Sequence, residues 1–259
     1  MAKIISIHSF RGGTGKSNTT ANVAALLAAQ GLRVGVVDTD IASPGIHVLF
    51  HLEEDAMKHS LNDYLWGKCD IADTAHDVTP NLGAPVSGKV YLIPSSMKPG
   101  EIARYLREGY DVGLLNDGFQ SLIEVLNLDV LLIDTHPGLN EEALLTMRAV
   151  QTLIVVLRPD AQDLEGTGVT VQVARQLEVP HLMLMVNQLP ATGQLQAVRA
   201  RVEETFKCEV AAILPQAAEF MTFDNDGLFA LRHAGHPISV ALQHLAAKLT
   251  GVTAQVNAS

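Results

Sequence analysis

The sequence predicts an α/β fold, a single domain with a mainly parallel, twisted sheet and helices on both faces, and three observations carry that reading. Short runs of Val, Ile and Leu alternate with helical patterns along nearly the whole chain, the mark of βαβ units. A glycine-rich turn, Ser9-Phe10-Arg11-Gly12-Gly13-Thr14-Gly15-Lys16-Ser17, separates the first apolar run from the first helical pattern. Acids close two later runs, Asp38-Thr39-Asp40 and Asp134, at the strand ends where open parallel sheets bind ligands.

The elements follow in order. Lys3 to His8 reads as a buried strand, and Asn18 to Gln30 as a helix stopped by Gly31. Arg33 to Val37 is a second strand. Short helices are expected from Ile46 to Leu52 and from His59 to Gly67. Lys89 to Pro94 is a strand, and Pro99 to Glu108 and Val112 to Asn127 are helices. Asp129 to Asp134, Thr152 to Leu157, His181 to Val186 and Glu209 to Leu214 are further strands. Between and after them, Gln162 to Leu177, Thr192 to Phe206 and Pro237 to Leu249 read as helices. Residues 1–250 form one domain by this reading, and 251–259 read as a flexible tail.

Composition agrees. Of the 259 residues 47% are apolar and only 5% aromatic, as in parallel-sheet cores built from small aliphatic residues. A formal charge of −10 argues against a generally basic nucleic-acid coat and leaves room for a local basic patch. Cys69 and Cys208 have no spacing for a disulfide framework or a metal site. No apolar run reaches the roughly 18 residues of a membrane span, and the chain opens on a strand rather than a signal peptide. A soluble, cytoplasmic protein is expected.

A strand feeding a glycine-rich turn that opens a helix is the setting of a phosphate-binding loop. Its backbone N–H groups curl inward, and the helix start adds partial positive charge. Lys16 is placed to reach β- and γ-phosphates, and the Ser17 hydroxyl to hold Mg²⁺. The ordinary pattern asks for Gly six residues before the lysine, where this chain has Phe10.

The stretch instead fits x-Lys-Gly-Gly-x-Gly-Lys-[Ser/Thr] with Arg11 for the first lysine, and so resembles the deviant Walker A loop of the ParA/MinD family of P-loop ATPases. The resemblance covers nearly the whole chain. It implies a dimer that sandwiches two ATP with Mg²⁺, the loop from Arg11 through Gly12, Gly13, Thr14, Gly15, Lys16, Ser17 and Asn18 holding nucleotide. Ser17, Asp38 and Asp134 become the metal site, Asp40 the residue that positions the attacking water, and Lys16 the group that neutralises the phosphates. Asn187 and Pro215, at late strand ends, correspond to positions that hold adenine in related proteins. Arg11 is expected to cross to the partner's nucleotide like an arginine finger, since its planar fork can grip phosphate oxygens at two points.

The function so implied is an ATP-hydrolysing switch that positions or partitions an intracellular cargo: a plasmid, a chromosome region or a protein organelle. Non-specific DNA binding in the ATP state, through Arg199, Arg201 and Lys207, and release by an adaptor or activator protein complete that reading. A MinD-like membrane-cycling regulator is the first alternative, disfavoured because the last helix carries only Lys248 as a permanent cation. A slow nucleotide-gated scaffold is the second, motivated by Phe10 and Arg11. His136 reads as a neutral, hydrogen-bonded switch residue, and His47 and His51 as ordinary histidines.

Overall fold

The computed structural model describes residues 2–191, 194–221 and 227–251. Eight strands form one sheet: β1 (Lys3–His8), β2 (Arg33–Asp38), β3 (His76–Asp77), β4 (Lys89–Ile93), β5 (Val130–Asp134), β6 (Thr152–Leu157), β7 (His181–Leu189) and β8 (Glu209–Pro215). Their order is β3-β4-β2-β5-β1-β6-β7-β8, parallel throughout except for the antiparallel β3 at one edge. Both faces are covered, so the strands are aliphatic on both sides. In β5, Val130 and Leu132 enter one core layer while Leu131 and Ile133 enter the other.

The first layer holds α1 (Lys16–Ala29), α2 (Ile46–Leu49), α10 (Phe229–Arg232) and α11 (Pro237–Thr250), with α9 (Ala218–Met221) at its margin. The second holds α3 (Leu61–Leu65), α5 (Val112–Val125), α6 (Glu141–Ala149), α7 (Ala161–Gln176) and α8 (Leu195–Phe206). The amphipathic α4 (Pro99–Glu108) lies beside this layer through Tyr105.

Several boundaries differ from the sequence expectation. The first helix begins at Lys16, not Asn18, because Gly15 in a left-handed conformation serves as its N-cap. The second stops at Leu49, and His51 follows with φ 48°. The helix expected from His59 to Gly67 is the single turn α3, and the one expected to reach Asn127 ends at Val125. Four short elements, β3, α6, α9 and α10, have no counterpart in the sequence expectation. For α6 the signals were present: Asn140 caps it by accepting from the Ala143 N–H at 2.8 Å, with Glu141 and Glu142 in the first turn and Arg148 in the last. The expected start of the late helix at Thr192 and the tail from residue 252 lie outside the described residues.

The middle of the sheet is the part least able to collapse around a cavity. Leu132 is fully buried in β5, which pairs with β1 on one side and β2 on the other. Leu132→Ala is expected to cost about 3 kcal/mol in urea unfolding of the ligand-free protein.

Candidate nucleotide site

The phosphate loop runs from the end of β1 into the first turn of α1. Gly13 and Gly15 take φ 75° and 93°, conformations that only glycine holds without strain. A Cβ at Gly15 would lie 2.3 Å from Nδ2 of Asn187, so the position is closed to any side chain. No acid occupies the first turn of α1, which leaves its N–H groups and dipole free for an anion. Lys16 is buried, and burial lowers its pKa against the opposing pull of Asp134, Asp40 and Asp38. The Thr14 hydroxyl is also buried, with no hydrogen-bond partner among the described residues.

The three acids converge on the same point because β2 and β5 are neighbours. Asp38 and Asp134 stand directly opposite in that ladder. Thr20 Oγ1 donates to Asp134 Oδ1 at 3.2 Å, and the Ser17 hydroxyl also hydrogen-bonds this carboxyl. The Asp40 N–H donates to Asp38 Oδ1 at 3.0 Å and the Gly45 N–H to Oδ2 at 3.4 Å. These bonds favour the ionised forms, yet burial prevails. Asp134 is pushed up to about 6, and Asp38 is raised well above the usual carboxylate range, mainly by burial and then by Asp134. Asp40 is more open; burial raises it, while His136, the Ser43 N–H and Lys16 pull it back.

Residues Thr135 to Gly138, after β5, pack on the loop. The Gly138 N–H donates to the Ser9 carbonyl at 3.0 Å. His136 donates through Nδ1 to the Pro137 carbonyl at 2.7 Å, leaving Nε2 toward Asp40 Oδ1 at 3.9 Å. Behind them lies a residue that sequence reasoning missed. His8 is fully buried, and burial lowers its pKa to about 3. Its Nδ1 lies 2.8 Å from Thr135 Oγ1, whose own proton goes to the Ile7 carbonyl at 3.1 Å. The hydroxyl can therefore only accept, and His8 is the neutral Nδ1–H tautomer.

Phe10 and Arg11 lie against α7. The Phe10 ring sits on Gly166, where a Cβ would come within 2.0 Å of it. Arg11 pairs through Nε with the buried Asp163 at 3.3 Å, lies 4.0 Å from Asp160, and donates to Gln162. In this single chain the guanidinium is thus engaged by its own subunit.

A cavity of about 400 Å³ opens beside the loop between Asn18, Leu49, Asn187, Pro215, Phe220 and Phe229. Asn187 and Pro215 both line it, although the Asn187 amide is turned onto the loop. The proposed DNA-binding residues are spread over α8 and its end. Arg199 donates to the Val210 carbonyl at the β8 edge and pairs with Glu203 at 3.6 Å. Arg201 and Lys207 are exposed.

Two buried acids and one nearby carboxylate around a single lysine leave the site short of positive charge. That shortage, with the Ser17 hydroxyl at Asp134, fits a divalent cation held by Ser17, Asp38 and Asp134 and completed by phosphate oxygens. A glycine loop at a helix start, a buried lysine and acids on adjacent strand ends define a P-loop nucleotide-binding protein.

A family model described as an AAA domain matches residues 2–181, and the chain belongs to that family, as a P-loop ATPase of the ParA/MinD type. An uncharacterized ATP-binding protein of Methanocaldococcus jannaschii is 26% identical over 257 residues, 97% of this chain and 89% of the relative. The septum site-determining protein MinD of Pyrococcus horikoshii, solved with Mg-ADP, superposes with a TM-score of 0.79 at 21% identity, covering 99% of this chain and 100% of its own. A ParA family ATPase from Chlorobium tepidum gives 0.73 at 18% identity, covering 95% and 99%.

The buried acids set a pH dependence. An acid with a raised pKa in the fold binds its proton more tightly folded than unfolded, so stability falls as pH rises through that window. For Asp134 the window runs from 3.8 to about 6. Ligand-free protein should lose on the order of 3 kcal/mol from this group across it. Thermal melts at stepped pH should show that loss, and Asp134→Asn should flatten it. Mg²⁺ with nucleotide, which favours the ionised form, should stabilise more at pH 7.5 than at pH 5.

Proposed function

We propose that the protein is a dimeric, ATP-hydrolysing switch that positions an intracellular cargo. The observation that carries the enzymatic part is the convergence of Asp38, Asp40 and Asp134 on Lys16 at the mouth of the loop. Phosphoryl transfer to water needs mainly positioning and charge stabilisation. Lys16 and the loop N–H groups would neutralise the β/γ-phosphates, and Asp40, the most accessible of the three acids, would orient water in line. Bound Mg²⁺ at Ser17, Asp38 and Asp134 would offset the charge of the phosphate chain. Placement of a cargo is supported by similar proteins that determine the septum site or the flagellum site.

ATP turnover with Mg²⁺ is the direct test. Asp40→Ala should lower turnover about 10²-fold with little change in ATP affinity. Arg11→Ala should lower ATP-dependent dimerisation and turnover together if Arg11 leaves α7 to reach the partner's nucleotide, about 10²-fold or more in turnover. Unchanged values would remove Arg11 from the mechanism. Retention on non-specific DNA at moderate salt, with ATP but not ADP, should be lost in Arg201→Glu/Lys207→Glu. Arg199 is left out of that test because β8 and Glu203 engage it.

The contact of Arg11 with α7 favours one second reading, a nucleotide-gated scaffold that turns over slowly. ATP-dependent dimers with no Asp40-dependent turnover would select it.

A further inference from the structure

We propose that Asn187 and Gln188 are positioning residues that brace the phosphate loop, setting its grip on the phosphate chain whatever the base. The inference rests on the reading of the site as a nucleotide site.

It begins with an irregularity in β7. Pairing with β8 runs Met185↔Ala212 and Val186↔Ile213, then resumes at Leu189↔Pro215. Three steps on β7 thus answer two on β8, so β7 carries one extra residue at Asn187-Gln188. Such a bulge re-aims side chains. Gln188 adopts φ 55°, a left-handed conformation that a glutamine takes only when its surroundings hold it there.

Both side chains consequently turn back onto the loop. Asn187 Nδ2 donates to the Thr14 carbonyl at 2.8 Å, and Gln188 Nε2 to the Gly13 carbonyl at 3.2 Å. Asn187 Oδ1 accepts the Gln188 N–H at 2.8 Å. Because a carbonyl only accepts and a backbone N–H only donates, this pattern fixes which end of the Asn187 amide is which. The group is buried, wedged against Gly15, and engaged at both poles. One N–H and one oxygen lone pair of the amide are thereby committed to the loop and its bulge.

The consequence follows from peptide geometry. In a planar trans peptide the C=O of one residue points opposite to the N–H of the next. Anchoring the Gly13 and Thr14 carbonyls toward β7 therefore turns the Thr14 and Gly15 N–H groups the other way. Those are groups a phosphate-binding loop must present, and preorganising them spares the ligand the cost of ordering the loop.

The test is equilibrium binding of MgATP, MgGTP and Mg-tripolyphosphate to the full chain by calorimetry, with loop amide exchange measured in the ligand-free protein. Asn187→Ala should weaken all three ligands about 10-fold, and Gln188→Ala about 3-fold, with the ATP/GTP ratio unchanged. Exchange at residues 12–16 should speed up in both variants before any ligand is added. Gln188→Gly, which keeps the left-handed backbone without strain, should match Gln188→Ala. Gln188 is only half-buried, so its variants are not expected to unfold. A changed ATP/GTP ratio with unchanged tripolyphosphate binding and loop exchange would overturn the brace and restore Asn187 as a base reader. Wild-type behaviour of Gln188→Gly would overturn the role of the Gln188 side chain. A wild type that binds none of the three would overturn the nucleotide reading, and the brace with it.

Discussion

Water-poor carboxylates held side by side are the constraint on which the rest of this site depends. Asp38 and Asp134 end adjacent parallel strands in direct register, so the fold itself forces them together. Hydrogen bonds from Ser17, Thr20 and two backbone N–H groups soften the repulsion without cancelling it. Lys16 is drawn inward as the nearest countercharge, and its own burial lowers its pKa. The ligand-free protein thus carries a local electrostatic deficit that a divalent cation with phosphates can relieve. Binding energy and fold energy meet here, because the groups that destabilise the empty site are those that would hold the ligand.

Around that centre the loop is held from three sides. The segment after β5 supports it through Gly138 and Ser9. From β7 come the Asn187 and Gln188 amides. From α7 come Gly166 under Phe10 and the acids around Arg11. The His8–Thr135–Ile7 chain ties the root of the loop to the start of the segment after β5.

The sequence makes the alternation of strands and helices legible, since apolar runs and glycine stops are local signals. The loop was equally plain, because its glycines and lysine sit in a fixed local frame. Asp38 and Asp134 could each be placed at a strand end, but their apposition depends on β2 and β5 being neighbours, which no local pattern encodes. The docking of Arg11 was hidden for the same reason: Asp160 and Asp163 belong to a distant helix. Gln188 carried no signal at all, since glutamine is not a turn former and its left-handed backbone is imposed by the bulge. His8 looked like the end of an ordinary strand until burial fixed its tautomer. The sequence pattern starts α1 at Asn18 because Lys16 and Ser17 read as loop, whereas Gly15 as N-cap makes them the first helical turn.

These three supports differ in strength, and the difference bears on how such a site can cycle. The amides on Thr14 and Gly13 and the ring of Phe10 on Gly166 work at short range, where salt has little effect. Arg11 is different: its side chain is 36% exposed, and of its partners only Asp163 is buried. An ion pair at that depth is partly screened, and a guanidinium can exchange one set of oxygens for another at small net cost. Two oxygens of a phosphate can accept from the guanidinium fork in place of the single oxygens of Asp163 and Gln162 that it now meets. Among the contacts described, the pairing of Arg11 is therefore the most exchangeable. A fixed floor with one movable cation is what a switch needs if its phosphate grip is to persist while its outward contacts change.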